Sequence, residues 1–166
     1  MKKKVLNIVC LVFALMLGTF VLTGCQEKEV MYEKDGFYLP IETQGYDVTS
    51  AILETEQTSS KIVVTKDEEE LHQILTLFCS KKPESIGTMS KNKFSVFYIS
   101  KEKTKGFFLT LYFTSVDTSE TIAYNFFTTT QGALYYGNES KNLYRYTENN
   151  FIDVEAISIF FNNWKN

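Results

Sequence analysis

Between residues 107 and 114 the chain alternates with a period of two, and this alternation constrains the fold more than any other feature. Phe107, Leu109, Leu111 and Phe113 occupy every second position, with aromatic and threonine side chains between them. Successive side chains of a β-strand point to opposite faces of a sheet, so these four apolar side chains would share one face. Such a strand needs neighbouring strands to pair with and a partner layer to bury that face. The stretch therefore predicts a sheet.

Further strands are predicted on both sides of this stretch. Lys61–Thr65 is rich in β-branched residues, and tyrosine and phenylalanine recur in the final third of the chain. Short charged or glycine-containing turns between the later strands favour an antiparallel meander. A polar loop is predicted over 85–92 and a turn over 137–142. The other predicted strands cover 47–54, 93–99, 122–126, 133–136 and 143–146.

Two amphipathic helices are predicted from apolar residues at helical spacing. Thr65 and Glu68 have the spacing of a capping box, and Pro83 stops the first helix. Asn149 or Asn150 is expected to cap the second helix. The apolar positions are Leu71, Ile74, Leu75 and Phe78 in the first helix and Val154, Ile157, Phe160, Phe161 and Trp164 in the second. The predicted fold class is α+β, an antiparallel meander sheet of about five to seven strands with two amphipathic helices packed on it.

The first 24 residues have the composition of a secretory signal. Lys2, Lys3 and Lys4 precede an almost uncharged apolar run from Val5 to Val21, and the small Gly24 suits a peptidase cleavage site. A membrane-spanning anchor is the alternative. The apolar run is short for that role, because a spanning helix needs about 20 apolar residues.

Leu22-Thr23-Gly24-Cys25 resembles the lipobox of bacterial lipoproteins. The resemblance implies cleavage between Gly24 and Cys25, a diacylglycerol on the Cys25 thiol, and palmitate-type acyl chains that hold the protein at the outer face of the cell membrane. It divides the chain into a signal peptide (1–24), a lipidated tether (25–36) and a single α+β domain (37–166). The order of elements is also similar to small lipoproteins of unknown function from low-GC Gram-positive bacteria.

Charge and cysteine content limit the classes of partner. Residues after position 24 carry 14 basic and 20 acidic side chains, a net charge of −6. This acidic balance argues against nucleic acid as a partner. Cys10 lies in the signal and Cys25 is the predicted lipid carrier, so Cys79 is the one remaining thiol. It is interpreted as a small buried residue at a helix end, with a reactive thiol as the alternative.

Four tyrosines near the C-terminus form the candidate binding surface: Tyr135, Tyr136, Tyr144 and Tyr146. They could stack on a sugar ring or a peptide, or they could be core and cross-strand packing. His72, the single histidine, is expected at the helix surface and cannot form a usual zinc site alone. The acidic run 67–70 is explained by the helix dipole rather than by a metal. No cofactor motif and no catalytic motif is found.

These observations predict a non-enzymatic, lipid-anchored, extracytoplasmic binding module. Its expected partners are the membrane, through the lipid on Cys25, and a protein or peptide held at a sheet edge or aromatic surface. One specific form is an immunity-like lipoprotein that captures a cationic, membrane-active peptide. The alternatives are an envelope-acting hydrolase that depends on His72, and an accessory factor of a larger membrane complex.

Overall fold

The computed structural model describes residues 30–55, 62–84, 87–90, 92, 106–138 and 143–164. These residues form two antiparallel sheets, two α-helices and a 3-10 turn at Ile41–Thr43. The helices are α1, Glu68–Cys79, and α2, Val154–Asn163. The strands are β1 Met31–Lys34, β2 Phe37–Pro40, β3 Tyr46–Thr55, β4 Ile62–Thr65, β5 Gly87–Ser90, β6 Phe107–Ser115, β7 Thr121–Thr128, β8 Leu134–Asn138 and β9 Leu143–Tyr146.

The larger sheet has seven strands in the order β4-β3-β6-β7-β8-β9-β5, and every neighbouring pair is antiparallel. Strands β6 to β9 follow one another as a meander. The earlier strands β3 and β4 add to one edge and β5 to the other. The predicted α+β class with an antiparallel meander sheet is therefore confirmed.

Strand β6 lies inside the sheet because one of its faces is wholly apolar. Phe107, Leu109, Leu111 and Phe113 are at most 3 % exposed. The Phe107 ring meets Phe161 of α2 edge-on, with 5.7 Å between the ring centroids. Burying an aliphatic or aromatic side chain of this size contributes about 1.5–3 kcal/mol before conformational entropy is subtracted. This row is the centre of the core between the sheet and the helices.

The apolar face of α1 is buried as predicted, at Leu71, Ile74, Leu75 and Phe78. The predicted cap was wrong, because Asp67 is the N-cap residue. Its carboxylate accepts hydrogen bonds from the backbone N–H groups of Glu69 and Glu70 at 3.0 and 3.1 Å. Thr65 lies before the cap, where its hydroxyl donates to the Glu70 carboxylate. Threonine and aspartate can both cap a helix. Asp67 has this role here because α1 begins at Glu68.

The second helix was also predicted with the wrong cap. Asp153 accepts a hydrogen bond from the Ala156 N–H at 3.0 Å. Asn150 instead has a left-handed backbone, and its N–H donates to the Gln131 carbonyl at 2.7 Å. Ile157 and Phe161 are the buried residues of the helix. Asparagine suits either role, because its short side chain tolerates a positive φ.

Three boundaries differ from the sequence prediction. Strand β1 lies within the predicted tether 25–36 and pairs with β2. The predicted loop 85–92 contains β5, which pairs with β9. Strand β8 continues through Asn138 into the predicted turn. The sequences of β1 and β5, MYEK and GTMS, lack the run of β-branched residues that predicted β4, which is equally short. The predicted strand 93–99 lies outside the described residues.

The 3-10 turn at Ile41–Thr43 is tied to the core of the sheet by a buried tyrosine. Tyr124 is 1 % exposed, and its hydroxyl donates to the Glu42 carboxylate at 3.1 Å. Burial raises the pKa of Tyr124, and the negative charge of Glu42 raises it further. The phenol therefore remains a neutral hydrogen-bond donor across the physiological range.

Replacing the N-cap of α1 tests the corrected helix start. We expect Asp67→Ala to lower the free energy of unfolding by about 1 kcal/mol, because two N–H groups lose their acceptor. Glu68→Ala is the matched control, since it removes the same charge from an exposed residue of the first turn. Urea denaturation of the full chain measures both. Equal losses in the two variants would mean that charge, and not capping, accounts for the effect.

Candidate functional site

The structure separates the four candidate tyrosines into two buried and two half-buried side chains. Tyr136 is 0 % exposed and Tyr144 is 1 % exposed. Their assignment to a binding surface was wrong, because both are fully covered. Tyr136 stacks near Phe126 with 6.4 Å between ring centroids, on the face that β6 buries. Tyr135 and Tyr146 remain half-buried.

The half-buried pair belongs to a row of aromatic rings that crosses four strands on the opposite face of the sheet. Phe108, Phe127, Tyr135 and Tyr146 are successive cross-strand partners on β6, β7, β8 and β9. The ring centroids are 4.4, 6.0 and 5.6 Å apart along the row. The row ends at Gly87 of β5, where a Cβ would collide with the Tyr146 ring. Cross-strand aromatic packing therefore occupies much of these rings.

Tyr135 and Tyr146 also line a shallow groove of about 430 Å³. Burial raises the pKa of Tyr135, and the neighbouring Tyr146 raises it further, so its hydroxyl stays protonated. The remaining lining residues are Ala133, Thr147, Glu148 and Asn149. Two of the four predicted tyrosines thus reach a groove, but their rings already pack against neighbouring side chains.

A larger concave surface lies between the two helices, and we call it the α1–α2 groove. Its volume is about 650 Å³. It joins the first two turns of α1 to the end of α2. Its described lining residues are Asp67, Glu69, Glu70, Gln73, Phe160, Asn163 and Trp164. This lining combines three carboxylates with two aromatic rings, and none of these described residues is basic.

The three carboxylates of the α1–α2 groove differ in how they are bonded. Asp67 caps α1 and Glu70 accepts the Thr65 hydroxyl. Glu69 is exposed. The last turn of α2 carries no basic residue. The negative end of the α2 dipole and the positive end of the α1 dipole both lie at this groove and oppose each other, so the carboxylates give the groove its negative charge.

Two aromatic side chains form the opposite wall of this groove. Phe160 and Trp164 are half-buried, with 5.5 Å between their ring centroids and 58° between their planes. An aromatic face attracts a cation through its quadrupole, and tryptophan does so most strongly. Carboxylates and aromatic rings in one groove are the chemistry that recognises a lysine or arginine side chain. No local sequence pattern predicts this site, because its two walls lie far apart in the chain.

A second concave surface lies on the other side of α1, against the β1–β2 hairpin, and we call it the hairpin cleft. Its volume is about 390 Å³. Lys34 Nζ lies 2.6 Å from Asp47 Oδ1 at its rim. The hydrogen bond to Asp47 raises the pKa of Lys34. The apolar residues of the lining include Phe37, Leu39, Leu71 and Leu75.

His72 lies at the rim of the hairpin cleft, exposed as predicted for a lone helical histidine. Its ring meets Phe37 edge-on at 5.1 Å between centroids. Cys79 is buried at the last residue of α1, so the interpretation as a buried residue is confirmed. Burial raises the pKa of the Cys79 thiol to about 12, which leaves almost no thiolate at neutral pH.

The described residues lack two features that bear on binding to metals and membranes. No group of three or more histidine, cysteine, aspartate or glutamate side chains with metal-site geometry occurs among these residues. In the same part of the chain, no helix combines the length and the apolar character needed to cross a bilayer. Cys25 and Gly24 lie outside the described residues, so their predicted roles remain predictions.

Comparisons of the whole chain with protein-family models, with curated proteins and with solved structures found no match.

Because the tyrosines differ in burial, replacing each of them by alanine should lower the free energy of unfolding by a different amount. We expect Tyr136→Ala to lower the free energy of unfolding by about 3–5 kcal/mol, because it empties a fully buried site. Tyr146→Ala should lower the free energy of unfolding by only about 1 kcal/mol, because it removes one cross-strand aromatic contact. Denaturant unfolding of the full chain measures both values. A similar cost for the two variants would contradict this division into core and groove residues.

Proposed function

We propose that this protein is a lipid-anchored, extracytoplasmic binding module that holds a cationic peptide in the α1–α2 groove. The observation that carries the proposal is the lining of that groove, in which three carboxylates face two aromatic rings. An acidic chain beside a membrane surface favours capture of basic peptides over nucleic acid or anionic lipid. The proposal requires no cofactor.

The anchor places this module close to the bilayer. The resemblance to a lipobox assigns the lipid to Cys25, and β1 begins at Met31. A chain extends by at most about 3.3–3.6 Å per residue, so the six steps from Cys25 to Met31 span at most about 20 Å. A groove on a domain tethered this closely would meet peptides that approach or leave the membrane.

Loss of the lipid should release the protein from the membrane. We expect Cys25→Ala to move the protein from the membrane fraction to the soluble fraction of the cell envelope, because one sulfur carries the proposed anchor. Fractionation followed by immunoblotting measures the distribution. Cys10→Ala is the matched control, since it changes a cysteine of the signal and should leave membrane association intact. Retention of the Cys25→Ala variant in the membrane would argue for a spanning anchor.

Peptide binding at the groove can be measured by tryptophan fluorescence, because Trp164 lines the groove and is the only tryptophan in the chain. We expect a tryptophan-free oligolysine peptide to change the Trp164 emission of the full chain in zwitterionic detergent. Added salt should weaken binding, because exposed charges are screened beyond about 8 Å at physiological ionic strength. Gln73→Glu, which adds a charge to the lining, should tighten binding, and Glu69→Gln should weaken it roughly two- to five-fold.

Glu155→Gln is the control for these charge changes. Glu155 is exposed in the first turn of α2 and is not among the groove lining residues. Its neutralisation should leave peptide affinity nearly unchanged. Equal weakening by Glu69→Gln and Glu155→Gln would show attraction to the whole acidic surface and would count against the groove. An unchanged Trp164 emission at saturating peptide would also contradict the proposal.

A further inference from the structure

The α1–α2 groove and the hairpin cleft meet at the first turn of α1. Glu68 lines the cleft, and its sequence neighbours Asp67 and Glu69 line the groove. Consecutive residues of a helix point in directions about 100° apart, so this turn forms a ridge with one concave surface on each side. The overall diameter of a helix is about 10 Å, a distance that three or four extended peptide residues cover. One short peptide can therefore reach both surfaces.

The hairpin cleft differs from the groove in having an apolar floor. Phe37, Leu39, Leu71 and Leu75 keep between 3 and 9 % of their surface exposed. They come from β2 and α1. Their residual exposure at a cleft of about 390 Å³ leaves space against apolar atoms for one ligand side chain of moderate size.

The rim of the cleft favours a ligand of positive charge. Lys34 is paired with Asp47, and the carboxylates of Asp35 and Glu68 also belong to the described lining. Both carboxylates are exposed. The negative potential of the groove therefore continues across the ridge to the cleft. A peptide that crosses it would be attracted along its whole length.

We propose that the peptide is amphipathic and crosses the first turn of α1, with a basic side chain in the α1–α2 groove and an apolar side chain in the hairpin cleft. The inference rests on the proposed function and deepens it by specifying the chemistry of the partner. Charge at the ridge draws the peptide to the site, and apolar burial in the cleft selects among basic peptides. The recognition element is thus a basic residue followed or preceded, three or four positions away, by an apolar one.

Two tryptophan-free peptides test this inference on the full chain in zwitterionic detergent. Both contain the same lysines, and one carries a leucine four positions from a central lysine where the other carries serine. We expect the leucine peptide to bind about ten-fold more tightly, because the cleft removes its side chain from water. The gain should persist at high salt, whereas the affinity common to both peptides should fall. Trp164 emission and calorimetry measure the two affinities.

Val48→Phe gives the matched test on the protein side. Val48 is half-buried on β3 and lines the cleft, so a larger side chain there would fill it. The variant should reduce the affinity of the leucine peptide to that of the serine peptide and leave the serine peptide unchanged. Equal affinities of the two peptides for the unmodified protein would overturn the inference without any variant. In that case binding of the serine peptide would still support the proposed function, and failure of both peptides to bind would reject it.

Discussion

Burial of one face of β6 is the constraint on which the rest of the structure depends. This strand pairs along its length with β3 on one side and β7 on the other. It therefore joins the early part of the chain to the meander of its second half. Gly106, directly before the strand, lies so close to the Thr128 carbonyl that a Cβ there would collide with it. Close backbone approach at this end and apolar side chains along the strand hold the two halves of the sheet together.

The two faces of the sheet are packed in different ways. The face that carries Leu109 and Leu111 is covered by helices, and its side chains are almost completely buried. The opposite face carries the aromatic row that ends on Gly87, in which each ring packs against the next strand's ring. Phe108 and Phe127 of this row form a buried cluster with Tyr144, whereas the two concave surfaces considered for peptide binding lie around α1. The proposed binding function therefore uses the helices, and the sheet supports them.

How much the sequence could predict differed from one element to the next. The period-two row of β6 and the helical stripe from Leu71 to Phe78 were predicted correctly, because each side chain's environment follows from a repeat within one element. Strands β1 and β5 were missed because their residues are mostly polar or charged, and their pairing with β2 and β9 is what makes them strands. The helix caps were misplaced because several neighbouring polar residues could accept the same hydrogen bonds.

The sequence by itself determined the α+β class, the central strand, the two amphipathic helices and the acidic balance of the residues after position 24. These properties depend on local periodicity, composition and short motifs. Only the tertiary structure decided which tyrosines are buried, since alternation places Tyr135 and Tyr136 on opposite faces of β8 but does not show how each face is covered. It also brought Glu69 and Trp164 to one groove. Their proximity comes from two helices packing on the same sheet, a long-range relation that no local pattern encodes.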